Sequence, residues 1–358
     1  MATIIETIQT LIEDEQVAEI MVDGPARVYV ERSGKLEDVA ATFAGEKEII
    51  DWVNGLLKAS GLAPVSPGQP WVEGRLRDGN FLVVVNPPVA VGGPNVILHK
   101  YMRPLLTFDQ LLKFEALSAP MLDFLKAVMS ARLNILVAGG TASGKTTLAR
   151  LLVDLVLEDE RLVVTGQEFM LQIMRLKHRH VVCLESVAET AGPGGSPSLG
   201  ELLHLAGHLR PDRIIAGELT GPEVKEAIHL MNTGHDGILV TLHASSPRAA
   251  LARLEMLMTP AEPGLPLPAI RSQIAEALDL VIYQSRLEDG SRKIISIAQV
   301  QGLKGDNIVL QELFTWEKTG IAEDGRVLGR FKTTGVTPSF DTGRSAGLVF
   351  PEGVFTAS

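Results

Sequence analysis

Residues 139–146 have the types and spacing that bind phosphate groups. They read GGTASGKT and match the pattern G-x-x-x-x-G-K-[ST] at every fixed position. Glycines allow such a loop to wrap around a phosphate with its amides directed inward, and the helix that follows adds its positive N-terminal end. Lys145 would then neutralise the β- and γ-phosphates of a nucleotide, and the Thr146 hydroxyl would hold Mg²⁺.

The segments on either side of this loop are those that a buried parallel sheet requires. Residues 133–138 are a continuous apolar run, as expected of a strand covered on both faces. Residues 147–156 place their leucines on one face of a helix. Because strand, glycine-rich loop and helix occur in the required order, a chance glycine-rich turn is the weaker interpretation.

Two further candidate groups follow predicted strands of the same sheet. Residues 212–218 form a predicted strand that ends in Glu218. Residues 238–242 form another, and His243 follows it directly. The carboxyl ends of parallel strands meet at one edge, where ligands bind in such sheets. Glu218 would therefore face Mg²⁺ or the attacking water, although a surface glutamate remains the alternative. His243 would sense a γ-phosphate or position water; a purely structural role stays open for it, and more so for His235.

Composition limits the classes of protein that fit this chain. Its 358 residues carry 33 Lys and Arg against 43 Asp and Glu, and this net charge of −10 disfavours a nucleic-acid partner. The single cysteine, Cys183, allows no intrachain disulfide and no multi-cysteine zinc site, which favours a cytoplasmic protein. The uncharged run 79–98 contains prolines, glycines and asparagines, so we expect no membrane insertion.

The pattern of apolar residues predicts an α/β protein preceded by a smaller α+β domain. Thr107, with Gln110 three residues later, forms a capping box where a new helix begins, and strands then alternate with helices. The last residues, 333–358, are rich in Gly, Pro, Ser and Thr and are expected to be poorly ordered. The predicted divisions are an N-terminal domain 1–97, a linker 98–106, an ATPase-type domain 107–300, and a C-terminal β segment and tail 301–358.

Several segments together resemble a known family. RPDRIIAGEL and NTGHDGILVTLHASSPRAAL resemble the Walker B segment and histidine box of the type II and type IV secretion ATPases, which have a RecA-like P-loop fold. EIMVDGPARVYVERSGKL, GRLRDGN, ALDLVIYQSRLEDGSRKI and GRVLGRFKTTGVTPSF are similar to the tight-adherence (Flp) pilus assembly ATPases of the CpaF/TadA type. The resemblance runs from Val17 to Phe340.

This resemblance implies an ATP hydrolase that works with Mg²⁺ as a cytoplasmic hexameric ring, peripheral at the inner membrane. ATP would bind between the N-terminal domain and the RecA-like domain. Hydrolysis would move the domains and drive a membrane platform protein that assembles or extrudes pilin.

The resemblance also assigns roles to residues. Thr146 and Glu218 would handle Mg²⁺ and water, and His235 and His243 would read the γ-phosphate. Arg75, by its place in GRLRDG, would contact the nucleotide from the N-terminal domain. The residues implied to hold the phosphates are Gly139, Gly140, Thr141, Ala142, Ser143, Gly144, Lys145, Thr146 and Thr147.

The chain departs from the family pattern after the strand that follows the P-loop helix. An acidic pair usual in the family is replaced by Gly166 and Gln167, with Glu168 displaced by one or two positions as a possible substitute. Arginines usual in the family are absent from segments 98–100 and 184–187, and Thr220 replaces a basic residue. The alternative function is therefore a nucleotide-binding ring subunit with weak or no hydrolysis, acting as a structural or regulatory partner.

Other P-loop classes fit less well. The negative net charge of the chain disfavours a DNA translocase, and no segment of the sequence indicates the acceptor site of a kinase. The zinc-bearing branch of the type II secretion ATPases is disfavoured because its cysteine quartet has no counterpart here.

Overall fold

A computed structural model describes residues 3–14, 16–32, 35–100, 106–166, 180–185, 197–340 and 348–356. The described residues form two compact units, one ending at Lys100 and the other beginning at Leu106. Within these ranges, no helix is long and apolar enough to cross a bilayer.

The first unit is an antiparallel sheet with two helices. The sheet has the strand order β3-β2-β1-β6-β5-β4. Its core consists of residues that alternate along the strands, together with the apolar faces of the two helices. The elements are α1 (Ile4–Glu13), β1 (Val17–Asp23), β2 (Val28–Arg32), β3 (Lys35–Asp38), α2 (Glu46–Ala59), β4 (Trp71–Arg75), β5 (Phe81–Val85) and β6 (Asn95–His99).

The second unit begins with the helix that the capping box predicts. Thr107 accepts a hydrogen bond from the amide of Gln110, whose side chain in turn accepts one from the Thr107 amide. The first elements of this unit are α3 (Phe108–Lys113), α4 (Ala119–Ser130), β7 (Ile135–Gly139), α5 (Lys145–Val153), β8 (Leu162–Thr165), β9 (Val181–Leu184) and α6 (Leu199–His208). The later elements are β10 (Arg213–Leu219), α7 (Val224–Asn232), β11 (Leu239–His243), α8 (Pro247–Ala261), α9 (Leu267–Ala277), β12 (Leu280–Arg286), β13 (Arg292–Lys304), β14 (Asn307–Ile321) and β15 (Val327–Thr333).

A single mixed sheet organises the second unit. Its order is β15-β14-β13-β12-β7-β11-β10-β8-β9. The strands from β12 to β9 in this order pair in parallel, and β12 to β15 pair antiparallel. β7, which leads into the phosphate loop, lies between β11 and β12 and is buried along its whole length. The prediction of an α/β fold with a mostly parallel sheet is confirmed for the phosphate-loop half.

The antiparallel half differs from the expectation of short strands after residue 281. β13 and β14 are long, and β13 runs without interruption through residue 300, where a division was predicted. The segment that follows residue 300 therefore belongs to the same sheet as the phosphate loop.

The chain end also differs from the sequence prediction. The described residues 348–356 pack on the hydrophobic core of the second unit instead of extending into solvent, and Val354 is buried. The ring centroid of Phe350 lies 5.4 Å from that of Phe124 on α4, and that of Phe355 lies 5.8 Å away. The Gly, Pro, Ser and Thr content suggested disorder, but aromatic side chains supply enough apolar area to hold this segment.

Candidate nucleotide-binding site

The phosphate loop joins β7 to α5 with a backbone that depends on glycine at two positions. Gly144 has φ +97°, a left-handed conformation that side chains disfavour. A Cβ atom at Gly139 would lie 2.4 Å from both the carbonyl oxygen of Gln284 and the Ser143 hydroxyl. β12, which carries Gln284, therefore lies directly against the loop and limits its course.

The loop and the first turn of α5 provide donors for an anion. The amide of Leu148 donates to the carbonyl of Gly144, which marks the first turn of the helix, and the N–H groups of such a turn point out of the helix end. The Ser143 hydroxyl is buried and makes no hydrogen bond to any part of the chain that the structure describes. These features fit a phosphate group seated at the helix N-terminus.

Lys145 and Glu218 meet beside the loop. The Lys145 side chain is 7% exposed, and its Nζ donates to the carbonyl of Gly140 at 3.1 Å. The same Nζ lies 3.5 Å from Oε2 of Glu218, near the end of β10. The Glu218 side chain remains 37% exposed, so it can still accept another contact. A lysine held between a loop carbonyl and a carboxylate can exchange either contact for a phosphate oxygen.

His243 lies at the same edge of the sheet. It ends β11 and pairs in register with Gly139, while the following amide of Ala244 donates to the Gly139 carbonyl at 3.2 Å. His243 and Ala244 both border a cavity of about 510 Å³ next to the phosphate loop. The residues that line it are Gly140, Thr141, Ser143, His243, Ala244, Ser245, Ala249, Arg253, Tyr283, Ser285 and Arg286.

Two cationic side chains of this cavity were not predicted from the sequence. Arg253 comes from α8 and Arg286 from the end of β12. A third arginine, Arg292, donates from Nε to the carbonyl of Ala142 at 2.9 Å. Arg286 and Arg292 lie on either side of the turn at Asp289 and pair across it. In the sequence, only this predicted turn indicated that the two arginines lie at the same end of the sheet. The cavity therefore has a positive lining suited to an anionic ligand.

The remaining predicted residues lie at other places. His235 does not line the cavity; its Nε2 lies 3.3 Å from the carbonyl of Gly207 on α6. Thr147 is half-buried in the first turn of α5, and Arg75 ends β4 in the first unit. Glu168 lies outside the described residues, as does Gln167.

Gly166, where the resemblance predicts an acid, occupies a crowded position. It directly follows β8 with φ +100°, and a Cβ atom there would lie 2.9 Å from Cα of Gly217. Gly217 itself belongs to the paired strand β10. This backbone has no room for a carboxylate side chain at position 166.

The groups proposed for Mg²⁺ match the usual surroundings of that ion. Mg²⁺ is commonly held by one or two protein oxygens together with substrate phosphates and water. Thr146, in the first turn of α5, and Glu218 supply such oxygens next to the loop. Over the described ranges, no cluster of three or more His, Cys, Asp or Glu side chains is arranged to hold a metal ion.

Comparison with known proteins identifies the family. A family model described as "Type II/IV secretion system protein" matches residues 3–326. The chain belongs to this family of secretion ATPases. It is 30% identical over 328 residues to a putative conjugal transfer protein of Mycobacterium tuberculosis, covering 90% of this chain and 91% of that protein. It is 26% identical over 299 residues to the conjugal transfer protein TrbB of Rhizobium radiobacter, covering 83% and 87% respectively.

Solved structures support the fold of this secretion ATPase. The pilus retraction motor PilT with bound ADP aligns with a TM-score of 0.57 at 18% identity, covering 83% of this chain and 82% of that one. The RecA-like second unit and the separate antiparallel first unit are therefore those expected from the sequence. The named relatives are conjugal transfer proteins, so they support the secretion ATPase family without singling out the CpaF/TadA type.

Proposed function

We propose that this protein is an ATP hydrolase that drives protein secretion or pilin assembly at the cytoplasmic face of the bacterial inner membrane. In this proposal it works as a hexameric ring on a membrane platform protein, as the resemblance to the CpaF/TadA type implies. Family membership and the fold support a secretion ATPase; the pilus role, the ring and the platform partner belong to the proposal.

One observation carries the catalytic part of the proposal. The buried amine of Lys145 and the carboxylate of Glu218 lie 3.5 Å apart at the mouth of a complete phosphate loop. A phosphate group seated in the loop would take the place of the Gly140 carbonyl at Lys145. The Glu218 carboxylate, more than a third exposed, would hold a water molecule on the side of the γ-phosphate.

Other groups of the site then have defined tasks. The loop amides and Ser143 bind phosphate oxygens, and the Thr146 hydroxyl and Glu218 would hold Mg²⁺, which would neutralise charge on the β- and γ-phosphates. We propose that His243 contacts the γ-phosphate, and its position at the end of the neighbouring strand, lining the cavity, supports this role. We propose the same role for His235 and a nucleotide contact for Arg75.

Lys145→Ala tests nucleotide binding directly. We expect ATP affinity of the full chain to fall by about 10²-fold or more, because the variant loses the only side chain that would neutralise the phosphates from inside the loop. Lys126→Ala, which removes an exposed lysine on α4, should bind ATP like the wild type. Unchanged ATP affinity in Lys145→Ala would contradict the proposal that the phosphate loop binds ATP.

A second candidate function rests on Gly166. The backbone there has no room for the acid that the resemblance predicts, and this supports the proposal of a ring subunit that binds ATP and hydrolyses it slowly. Loss of a general base costs about 10²–10⁴ in rate, whereas nucleotide binding depends on Lys145 and the loop.

Steady-state and single-turnover hydrolysis separate these two functions. A turnover of about 1 s⁻¹ or more, unaffected by Glu168→Gln, would show that the missing acid does not matter. A much slower turnover with normal ATP affinity would favour the regulatory subunit. Oligomer size measured with and without nucleotide tests the ring, and a chain that stays monomeric at high concentration with nucleotide would contradict it.

A further inference from the structure

We propose that α6 carries a two-histidine binding site for a divalent transition-metal ion such as Zn²⁺, separate from the nucleotide site. His204 and His208 are four residues apart on this helix, so their side chains share one face. Their Nε2 atoms lie 3.3 Å apart, and the ring centroids lie 4.8 Å apart with the rings nearly perpendicular. Two imidazoles four residues apart on a helix are a known arrangement for binding zinc.

The distance between the two nitrogens fits chelation. Zn²⁺ binds histidine nitrogen at about 2.0–2.1 Å with tetrahedral geometry, which places two ligating nitrogens about 3.3–3.4 Å apart. The observed 3.3 Å separation between the Nε2 atoms of His204 and His208 is therefore that of two neighbouring corners of a zinc site. Binding of the ion would replace the hydrogen bond between the two Nε2 atoms, with the proton of His208 then carried on its Nδ1.

A carboxylate fixes the orientation of the first imidazole. Oε1 of Glu226, on α7, lies 3.1 Å from Nδ1 of His204. With Nδ1–H donating to this carboxylate, Nε2 of His204 keeps its lone pair for a metal. Metal-ligating histidines commonly have such a carboxylate partner, which selects the tautomer and raises the basicity of the ligating nitrogen.

Access and the donor set also agree with a bound ion. The His204 side chain is 62% exposed, so an ion reaches the pair directly from solvent. Among the described side chains there is no third ligand in the cluster, so the other coordination positions belong to water or to an oxygen of another molecule. Imidazole nitrogens favour Zn²⁺, Cu²⁺ or Ni²⁺ over Mg²⁺, so the Mg²⁺ proposed for the nucleotide site does not compete.

The pair lies next to the histidine-box segment of the fold. Gly207, between the two histidines, has its carbonyl 3.3 Å from Nε2 of His235. Glu226 belongs to α7, the helix that immediately precedes His235 in the chain. The proposed ion would thus sit on the outer surface of the helix pair that supports this segment.

Zn²⁺ titration of the full-length protein without nucleotide tests the site, with a chromogenic chelator as competitor. We expect His204→Ala and His208→Ala each to lose one equivalent of bound Zn²⁺, through an affinity loss of about 100-fold or more. Glu226→Gln, which keeps both ligands, should weaken the same site by about ten-fold. A merely structural role of Glu226 would not move the Zn²⁺ affinity.

His180→Ala is the matched control, because it removes an exposed histidine away from α6, just before β9. It should leave this equivalent of Zn²⁺ in place. ATP affinity, expected to stay at the wild-type value in all four variants, verifies their folding. If Zn²⁺ binds to the wild type and to both His204→Ala and His208→Ala with equal stoichiometry and affinity, the contact is a hydrogen bond only and the proposal is wrong.

Discussion

The two ends of β10 each carry a charged pair, and the pairs are built differently. At the start of the strand, Arg213 has no exposed side-chain area and forms two hydrogen bonds to Glu160, at 2.7 and 3.0 Å. It also donates to the carbonyl of Met129, and Arg132 adds a second contact to Glu160 at 3.2 Å. Here the protein itself supplies most of the partners that the charges need.

Towards the other end of β10, Glu218 is less completely bonded. Its contact with Lys145 is longer, at 3.5 Å, and more than a third of its side chain is exposed. This end also borders the phosphate loop, whereas the Arg213 end lies at the opposite edge of the sheet. Both pairs are oppositely charged, so the difference lies in how many contacts remain to be made. A pair with spare contacts at an exposed edge suits a ligand, whereas the buried Arg213–Glu160 pair finds its partners within the protein except at Nη1 of Arg213.

The largest expected effect comes from Glu218→Gln. If the exposed carboxylate acts on water or a metal-bound ligand, the hydrolysis rate should fall by about 10²–10⁴-fold while ATP affinity stays near the wild-type value. The measurement is single-turnover hydrolysis at saturating ATP. Glu288→Gln, at an exposed surface pair with Lys318, should hydrolyse ATP like the wild type. A Glu218→Gln variant with wild-type hydrolysis would show that the Glu218 carboxylate has no catalytic role.

Arg213→Met should act on stability instead. It leaves Glu160 buried with only part of its partners, at an expected cost of about 3–5 kcal/mol in the free energy of unfolding. Denaturant titration measures this loss. The double variant Arg213→Met/Glu160→Leu removes both charges and should recover most of the stability. If the double variant is as unstable as the single one, desolvation of an unpaired charge is not the cause.

Gly166→Asp introduces an acid at a position where the resemblance predicts one. We expect it to destabilise the protein by about 2–3 kcal/mol without raising hydrolysis, because φ is +100° and Cα of Gly217 would contact the new Cβ. Thermal unfolding and ATP turnover together check this. Asp159→Asn, an exposed change in the loop before β8, is the control and should leave both values unchanged. Faster hydrolysis in Gly166→Asp would show that the backbone adapts to a side chain.

The smallest effect concerns Asp289, an acid on the ligand side of the sheet that is fully bonded by the protein. Hydrogen bonds from the Ser291 hydroxyl and from the amide of Val327 lower the pKa of this carboxyl to about 2. Because the group is at the surface, solvent screening reduces its contribution to about 1 kcal/mol, which Asp289→Asn should remove.

The pH dependence of this effect has a definite sign. The folded protein lowers the pKa of Asp289, so the stabilisation is present above the ordinary value near 3.8 and is lost as the pH falls towards 2. The difference in unfolding free energy between wild type and Asp289→Asn should therefore shrink from pH 4 downwards. A difference that stays constant over this range would assign the effect to the turn geometry and not to the charge.

Local patterns were sufficient to predict the elements that hold the phosphate loop. The capping box at Thr107, the buried strand before Gly139 and the strand that ends at His243 all appear with small shifts in their ends. Each depends on contacts within a few residues or on uniform burial, both of which leave a direct signal in the sequence.

Features that depend on distant contacts were not predicted. Arg253 and Arg286 reach one cavity from a helix and a strand that are separated along the chain, and nothing in their local sequence marks this meeting. The ion pair between Arg213 and Glu160 likewise joins the start of β10 to the loop before β8, and no local pattern indicates it. Long-range pairing of charged groups follows from strand order, which composition and periodicity do not determine.

The packing of Phe350 and Phe355 on Phe124 has a consequence for how the second unit responds to proteolysis. Residues 348–356 cover the face of α4 around Phe124, on which Phe314 of β14 also packs. A cut just before residue 348 would release this cover and expose an aromatic surface on α4. The segment therefore acts as a detachable seal whose loss would make the protein sticky without touching the phosphate loop.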